Sequence, residues 1–257
     1  MTIKSSHFDL DFSKQYKQLK KNKDKIQAQI MELNKDNKNN FQQIHALIAK
    51  REIYRNAIIK LLNQDTEKPF EQYAKKMFNL SISIIEKFLS LPALKFDKLS
   101  NDEKQDFGQT FINYIAKRFK INTNTLLFND NMPTDKSACY DFYTGNIEIN
   151  INQTSCTLQD FISMILHEFT HHLYEKHPEY SPLGEQKVAA IMENPIADNP
   201  NGIQTESDLI AYKQRPYEAP AYYLQEYFEK HKFGEQLLST IKNNSQKSTQ
   251  CHQAKNF

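Results

Sequence analysis

Apolar and polar positions alternate with a helical period over most of this chain. In the first sixty residues the apolar positions recur three or four residues apart, as at Ile26, Leu33, Leu47 and Leu61. This spacing predicts long helices, and the polar cluster at 36–40 interrupts it. Residues 1–65 are therefore predicted to form either a helical hairpin or one long coiled coil, and the hairpin is favoured slightly.

Amphipathic patterns continue through residues 66–130 and are strongest over 70–89 and 102–119. Leu91-Pro92 separates the two patterns, because proline lacks the backbone N–H that the interior of a helix requires. These segments predict a helical lobe that packs against the region after it. At the other end, the polar composition of residues 241–257 predicts a disordered tail.

A two-residue alternation replaces the helical period at residues 146–152. There Ile147, Ile149 and Ile151 alternate with polar residues, which is typical of a strand with one buried face. Turn residues at 144–146 come just before, so residues 138–143 are predicted to be the partner strand of a hairpin. A short antiparallel sheet is thus expected before the next helix.

That next helix carries an HExxH pattern, which runs from His167 to His171. Thr157 is suited to cap its N-terminus, with Asp160 completing a variant of the capping box. Because residues four apart share a helix face, His167 and His171 can offer ring nitrogens to one zinc ion. Glu168 would project beside that ion and serve as the general base and acid of a hydrolysis.

Two histidines leave a catalytic zinc site one protein ligand short. Glu218 is the preferred third ligand, since Pro216 or Tyr217 is suited to open a helix at this point. His177 is the alternative, because it stands where the metzincin pattern HExxHxxGxxH has its third histidine. However, Tyr174 occupies the position of the glycine that lets the chain turn there. A metzincin-like peptidase that uses His177 is therefore a second interpretation.

Tyrosines are frequent around the predicted third ligand. Tyr212 and Tyr217 are the candidates for donating a hydrogen bond to the oxyanion that forms during hydrolysis. Tyr222, four residues after Glu218, is expected to orient that carboxylate. His172 lies about 140° from His167 around an ideal helix, so it cannot bind the same ion and is expected to hydrogen-bond structurally.

Two segments together resemble the small gluzincin peptidases known as minigluzincins. The first is LHEFTHHL at 166–173, and the second is 212–225, which fits the Y..RP.E..AY..Q stretch that supplies the third zinc ligand in that family. The resemblance implies Zn²⁺ as cofactor, a protein or peptide substrate, and a sheet edge that pairs with the substrate backbone. The resemblance covers roughly 138–230, and a zincin-like metallopeptidase domain is predicted over 66–240, with the helical lobe at 66–130 and the sheet and zinc site at 131–240.

The expected fold class is therefore α+β and predominantly helical, with a basic N-terminal helical module preceding the metallopeptidase domain. With 39% hydrophobic residues, 257 residues can enclose a substantial core in one or two domains. A net charge of +2 gives no support to a specific nucleic-acid partner. The three cysteines form no CxxC pair, so free thiols and a reducing compartment are expected.

Residues 1–60 hold thirteen Lys or Arg and six acidic residues, an excess of seven positive charges. Such a face is usually solvated, although the helices that carry it are also candidates for self-association or partner binding. Neither a membrane span nor a hydrophobic signal segment is predicted. The expected location is the cytoplasm, or delivery by a secretion system that needs no signal peptide, as for some bacterial effector zinc proteases. The alternative from another class is a catalytically inactive, partner-binding adaptor of zincin fold whose zinc only stabilises that fold.

Overall fold

The computed structural model describes residues 7–35, 40–64, 66–134, 136–150, 152, 156–193 and 205–253. In this part of the chain helices predominate and one small sheet is present, so the fold is α+β and mostly helical, as expected. The helices are α1 (His7–Lys35), α2 (Phe41–Leu62), α3 (Glu67–Phe88), α4 (Ser90–Leu94), α5 (Asn101–Phe119), α6 (Leu158–Lys176), α7 (Glu185–Met192), α8 (Glu206–Lys213), α9 (Ala219–Lys230) and α10 (Phe233–Gln253). The strands are β1 (Leu126–Asn129), β2 (Ala138–Tyr140) and β3 (Ile147–Asn150). None of the helices described is long and apolar enough to cross a membrane.

The chain divides into two compact units. The first consists of Met1–Thr66 and Leu183–Pro216, and the second of Glu67–Pro182 and Tyr217–Phe257. The boundary predicted at 65 lies one residue before the junction of the two units at Thr66–Glu67. Residues 183–216, however, group with the N-terminal helices, whereas the sequence placed them in the metallopeptidase domain.

In the first unit α1 and α2 form an antiparallel hairpin. Near the turn, the Asn40 side chain donates a hydrogen bond to the Leu33 carbonyl at 3.4 Å. Farther from the turn, Arg51 donates to the Gln27 side chain at 2.9 Å. Contacts farther along α2 thus reach residues farther back along α1, so the two helices run antiparallel. This is the predicted hairpin and not one long coiled coil. Most of the polar cluster predicted as the turn, residues 36–39, lies outside the described residues.

The sheet of the second unit is mixed, with the order β1-β3-β2. The predicted hairpin of β2 and β3 is confirmed, since the two strands pair antiparallel with Tyr140 opposite Ile147. The prediction of a purely antiparallel sheet is wrong, because β1 pairs parallel with β3 and places Leu126 beside Ile147. The Leu-Leu-Phe-Asn sequence of β1 lacks the alternation that marks a strand. Residue 151, the last isoleucine of the predicted strand, lies outside the described residues.

Helix α6 lies at the centre of the second unit. Its predicted N-cap is confirmed: the Asp160 backbone N–H donates to Thr157 Oγ1 at 3.2 Å, and the Thr157 N–H donates to Asp160 Oδ2 at 3.1 Å. Every residue from Phe161 to Tyr174 is buried, because α3, α5, α9, α10 and the sheet pack around the helix. The HExxH residues are thus held within the closely packed core of the unit.

The other predicted helices of this unit are present, with two differences. Helices α3 and α5 occupy the segments predicted at 70–89 and 102–119, and Leu91-Pro92 lies within the short helix α4. Helix α10 continues to Gln253, whereas a disordered tail was predicted from 241. Leu237 and Ile241 are buried and anchor the helix against the core, which composition alone does not reveal. Residues 254–257 lie outside the described residues.

Candidate metal centre

Three predicted ligands converge in the second unit. His167, His171 and Glu218 are buried, and each offers one ligand atom within 4.8 Å of the others. The Nε2 atoms of both histidines lie 3.4 Å from the same carboxylate oxygen, Glu218 Oε2. These three residues form the group, among the described residues, that could hold a metal ion.

The backbone explains how side chains 47 positions apart in sequence meet here. His167 and His171 occupy successive turns of α6, and their ring centroids are 5.0 Å apart. Glu218 is the N-cap residue of α9, with Pro220 in the first turn, where the missing N–H has no cost. The Glu218 side chain makes no cap hydrogen bond, so its carboxylate is available to the histidines.

The electrostatics of the group fit a cation. Burial alone would raise the pKa of Glu218, but the imidazoles of His167 and His171 beside its carboxylate outweigh it and hold that pKa well below its usual range. Burial likewise opposes the charged form of His167, yet Glu218 and the Glu168 charge raise the pKa of that imidazole. A carboxylate that stays ionised in a buried position needs a positive partner. Two imidazole nitrogens and one carboxylate oxygen therefore suit a divalent metal ion.

Two tyrosine rings hold the imidazoles in place. The ring of Tyr217 stacks on His171 at a centroid distance of 4.3 Å, and the edge of Tyr222 meets His167 at 4.8 Å. The Nδ1 atoms of both histidines are buried and have no hydrogen-bond partner in the described part of the chain. The ring orientations are therefore set by these aromatic contacts and by the Glu218 carboxylate beside Nε2, and not by a hydrogen bond to Nδ1.

The predicted oxyanion donors belong to different units. The hydroxyl of Tyr217 is buried in the second unit without a hydrogen-bond partner among the described residues. Burial first, and then the charges of Glu218 and Glu168, raise its pKa, so the hydroxyl keeps its proton. Tyr212 lies on α8 of the first unit, where the guanidinium of Arg215 covers its ring at 4.7 Å. The oxyanion role of either tyrosine stays a prediction, as does the orienting role of Tyr222.

Glu168 is buried next to the first histidine ligand, with 7% of its surface exposed. Its charge acts on the group itself and also on Cys139 of β2, whose pKa is raised to about 11 by burial and then by Glu148 and Glu168. The carboxylate is therefore near both the ligands and the adjoining strand. Cys139 and Cys156 are free thiols, as expected, and the side chain of Cys251 lies outside the described residues.

The other histidines of this region have different surroundings. His177 is the C-cap residue of α6, and its Nδ1 lies 3.5 Å from Glu179 Oε1, so it does not belong to the group that could hold the ion. His172 is hydrogen-bonded to the Tyr140 hydroxyl at 3.3 Å, which confirms its expected structural role. Burial, followed by repulsion from His177, lowers the pKa of His172 to about 4.

Two supporting residues were not found from the sequence. Thr170, inside the HExxH pattern, donates to the Leu166 carbonyl at 2.8 Å, and its hydroxyl lies 3.0 Å from that of Tyr73 on α3. A contact across 97 positions leaves no local pattern to detect. Gln225 raises the pKa of His167, and here a signal existed, since Gln225 is the last polar position of the Y..RP.E..AY..Q stretch.

No protein-family model, curated protein or solved structure matches the chain. The chemistry of the centre therefore has to follow from its own donor atoms and their surroundings.

Proposed function

We propose that the protein is a zinc-dependent metallopeptidase that hydrolyses peptide bonds of a protein substrate. The observation that carries this proposal is the buried group of His167, His171 and Glu218, with Glu168 next to it on the same helix. Three protein ligands leave one position of a tetrahedral ion for water or substrate, which is the arrangement of catalytic zinc sites. The zincin-like interpretation of the second unit rests on the same group.

The donor atoms favour Zn²⁺ over the common alternatives. Mg²⁺ and Ca²⁺ take oxygen ligands, whereas two of the three donors here are imidazole nitrogens. A soft site would carry thiolates, but no cysteine among the described residues belongs to the group that could hold the ion. Mixed nitrogen and carboxylate ligation is typical of zinc hydrolases.

The side chains divide the reaction between them. When bound, Zn²⁺ supplies a Lewis acid that acidifies water and polarises the carbonyl of the substrate. Glu168 takes a proton from the attacking water and later passes it to the leaving amine. The Tyr217 hydroxyl donates a hydrogen bond to the carbonyl oxygen as negative charge develops there. Such a donor is effective because it is buried and already protonated.

The substrate backbone is proposed to pair with β2. This strand is at one side of the order β1-β3-β2, and Tyr140 ties it to α6 through a 2.8 Å hydrogen bond to Glu175. A strand with one unpaired edge can accept an extended peptide through main-chain hydrogen bonds. Pairing there would hold the peptide in extended form beside the helix that carries the ligands.

Replacing Glu168 by Gln tests the proposal. Zinc-loaded wild type and Glu168→Gln would be mixed with denatured casein and with cell lysate, and chelator-sensitive fragments would be measured. We expect cleavage by the wild type and at least about a hundredfold less by the variant, with equal zinc content, since general-base catalysis contributes 10²- to 10⁴-fold. Glu226→Gln, an exposed change on α9, is the matched control and should retain full activity.

Other outcomes of this experiment would contradict the proposal. If Glu168→Gln cleaves as fast as the wild type, the fragments come from another protease or another site. If the zinc-loaded wild type leaves every substrate intact, the alternative of an inactive adaptor with a structural zinc is supported instead.

A further inference from the structure

The turn between β2 and β3 exposes two adjacent aromatic side chains. Phe142 is 44% exposed and Tyr143 is fully exposed to solvent. Apolar rings in contact with water are available to bind apolar ligands, and burying them on binding is favourable. Because both rings follow directly after the strand proposed to pair with the substrate, they are placed beside an extended peptide.

A network of hydrogen bonds stabilises this turn. The Asp141 carboxylate accepts from the Tyr143 backbone N–H at 2.8 Å and from the Thr144 hydroxyl at 2.6 Å. The Gly145 N–H donates to the Asp141 carbonyl at 2.7 Å, and a φ of 74° makes glycine the favoured residue there. The Asn124 amide also donates to the Gly145 carbonyl at 2.5 Å. A loop that is already ordered binds a ligand without a large entropic cost.

The exposed ring of Phe142 is connected to the metal centre by other rings. Its centroid is 5.9 Å from that of Tyr217, and Tyr217 stacks on the ligand His171 at 4.3 Å. Tyr140 supports Phe142 from the strand with an edge contact at 5.3 Å. We call Phe142, Tyr217 and His171 the aromatic wall. Exposure decreases along it from 44% at Phe142 to 5% at His171, so one end meets solvent and the other meets the metal ligands.

We infer that the aromatic wall is a substrate subsite for a large apolar side chain, with aromatic side chains preferred. The inference rests on the proposed peptidase function and adds the class of substrate. Two ring contacts, of 5.9 and 4.3 Å, separate Phe142 from His171. Because an extended peptide advances about 3.4 Å per residue, the recognised side chain lies within about three residues of the cleaved bond. Aromatic rings favour aromatic partners in edge or offset-stacked contacts.

The carboxylates of Glu218, Glu168 and Glu175 act on Tyr217 of the wall, whereas Phe142 lies in the turn after β2. The only carboxylate within the turn, that of Asp141, is occupied by the hydrogen bonds from Tyr143 and Thr144. The Tyr217 hydroxyl is protonated and carries no charge. The binding energy at Phe142 therefore comes from apolar area and ring contacts.

The test uses pairs of peptides that differ at one position near the cleaved bond, where one member has Phe and the other has Ser. Zinc-loaded wild type, Phe142→Ala and Phe88→Ala would be compared by kcat/KM. Phe88 is the matched control, because it is 45% exposed and stacks on one tyrosine, Tyr114, at 4.0 Å. Phe142→Ala should reduce kcat/KM for the Phe peptide about tenfold, since loss of a partly buried aromatic contact lowers binding by roughly a factor of ten. For the Ser peptide, kcat/KM should change less than about twofold. Phe88→Ala should keep the wild-type preference.

The failure of this inference and that of the proposed function give different results. A wild type without preference for Phe over Ser, or a Phe142→Ala variant that retains the preference, overturns the subsite and leaves the peptidase in place. A zinc-loaded wild type that cleaves no peptide overturns both. Zinc content and Tm are measured for each variant. If Phe142→Ala has a lower zinc content or a lower Tm than the wild type, Phe142→Leu, which keeps an apolar side chain, is compared with the wild type on peptides with Phe or Leu at the same position. Loss of the preference for Phe over Leu then supports the subsite, and its retention overturns the subsite.

Discussion

The phenol ring of Tyr217 lies parallel to the imidazole of His171, with centroids 4.3 Å apart and an interplanar angle of 9°. His171 Nδ1 has no hydrogen-bond partner in the part of the chain that the structure describes, so this stacking and the Glu218 carboxylate 3.4 Å from Nε2 orient the imidazole. The hydroxyl of the same tyrosine is buried without a partner there. Tyr217 therefore combines two functions that mutation can separate: its ring positions a ligand, and its hydroxyl can donate a hydrogen bond.

Tyr217→Phe removes the hydroxyl and keeps the ring. We expect kcat to fall about 10²- to 10³-fold, as for loss of one oxyanion donor, while zinc affinity changes little. Tyr217→Leu also removes the stacking and should weaken zinc binding about 10- to 100-fold, which a competition titration with a zinc chelator would measure. Tyr223→Phe, on α9 where the ring contacts Phe70, is the control for loss of a hydroxyl. Full activity of Tyr217→Phe would exclude this hydroxyl from the reaction.

Glu218 and His177 are distinguished by zinc binding. Glu218→Ala removes a ligand, so zinc should no longer raise the Tm of the variant, whereas His177→Ala should bind zinc like the wild type. For the wild type, free zinc at 100 times its Kd stabilises the folded state by about 2.7 kcal/mol. Thermal melts with and without a chelator provide the measurement. Loss of the zinc effect in His177→Ala, and its retention in Glu218→Ala, would favour the metzincin-like interpretation instead.

The ligand group could be predicted because its determinants are local. His167 and His171 are four residues apart on one helix, and the cap at Thr157 fixes where that helix begins. Glu218 precedes Pro220 at a helix start, so its position also follows from neighbouring residues. In each case the preference of the backbone decides where the side chain points.

The features that could not be predicted depend on contacts between distant segments. Strand β1 is stabilised by its parallel pairing with β3, and nothing within Leu126–Asn129 marks it as a strand. The Phe142–Tyr217 contact joins a turn to the start of a helix 75 positions later. Helix α10 extends past the predicted start of the tail because Leu237 and Ile241 are buried by tertiary packing. Propensity and period are weak guides where such packing decides the structure.

The thiols of the second unit should show a stability loss at high pH. Burial, followed by nearby carboxylates, raises the pKa of Cys139 and of Cys156 to about 11, compared with about 8.5 for a free thiol. At a pH between these two pKa values, the thiols are deprotonated in the unfolded chain but still protonated in the folded one. The free energy of unfolding should therefore fall as the pH rises from about 9 to 11. Below about pH 8 the thiols are protonated in both states and should not affect stability. Urea denaturation at several pH values measures this, and Cys→Ala variants should remove the effect.

Alkylation provides an independent measurement on the same thiols. At pH 8 native Cys139 and Cys156 should react with iodoacetamide about a hundredfold more slowly than in the urea-unfolded chain. Glu168→Gln should accelerate Cys139 and leave Cys156 unchanged, because the Glu168 charge contributes to the raised pKa of Cys139 and not to that of Cys156. Equal rates in the native and unfolded chains would contradict the assigned pKa values.

Gly108 permits the close packing of α5 against β1 and α6. A Cβ at this position would lie 2.4 Å from Leu126 Cδ2 and 3.1 Å from the side chains of Ile165 and Phe161. Alanine is the better helix former by about 1 kcal/mol, but overpacking costs about 1–3 kcal/mol, so Gly108→Ala should lower the free energy of unfolding. In Gly234→Ala the nearest atom, Gln159 Cβ at 3.6 Å, is an ordinary contact, and stability should change by less than about 1 kcal/mol. Urea denaturation followed by circular dichroism compares the two variants. Ile165 lies two residues before His167 on α6, so Gly108 packs behind the helix that carries the predicted ligands. A Gly108→Ala variant as stable as the wild type would show that this packing is looser than the distances require.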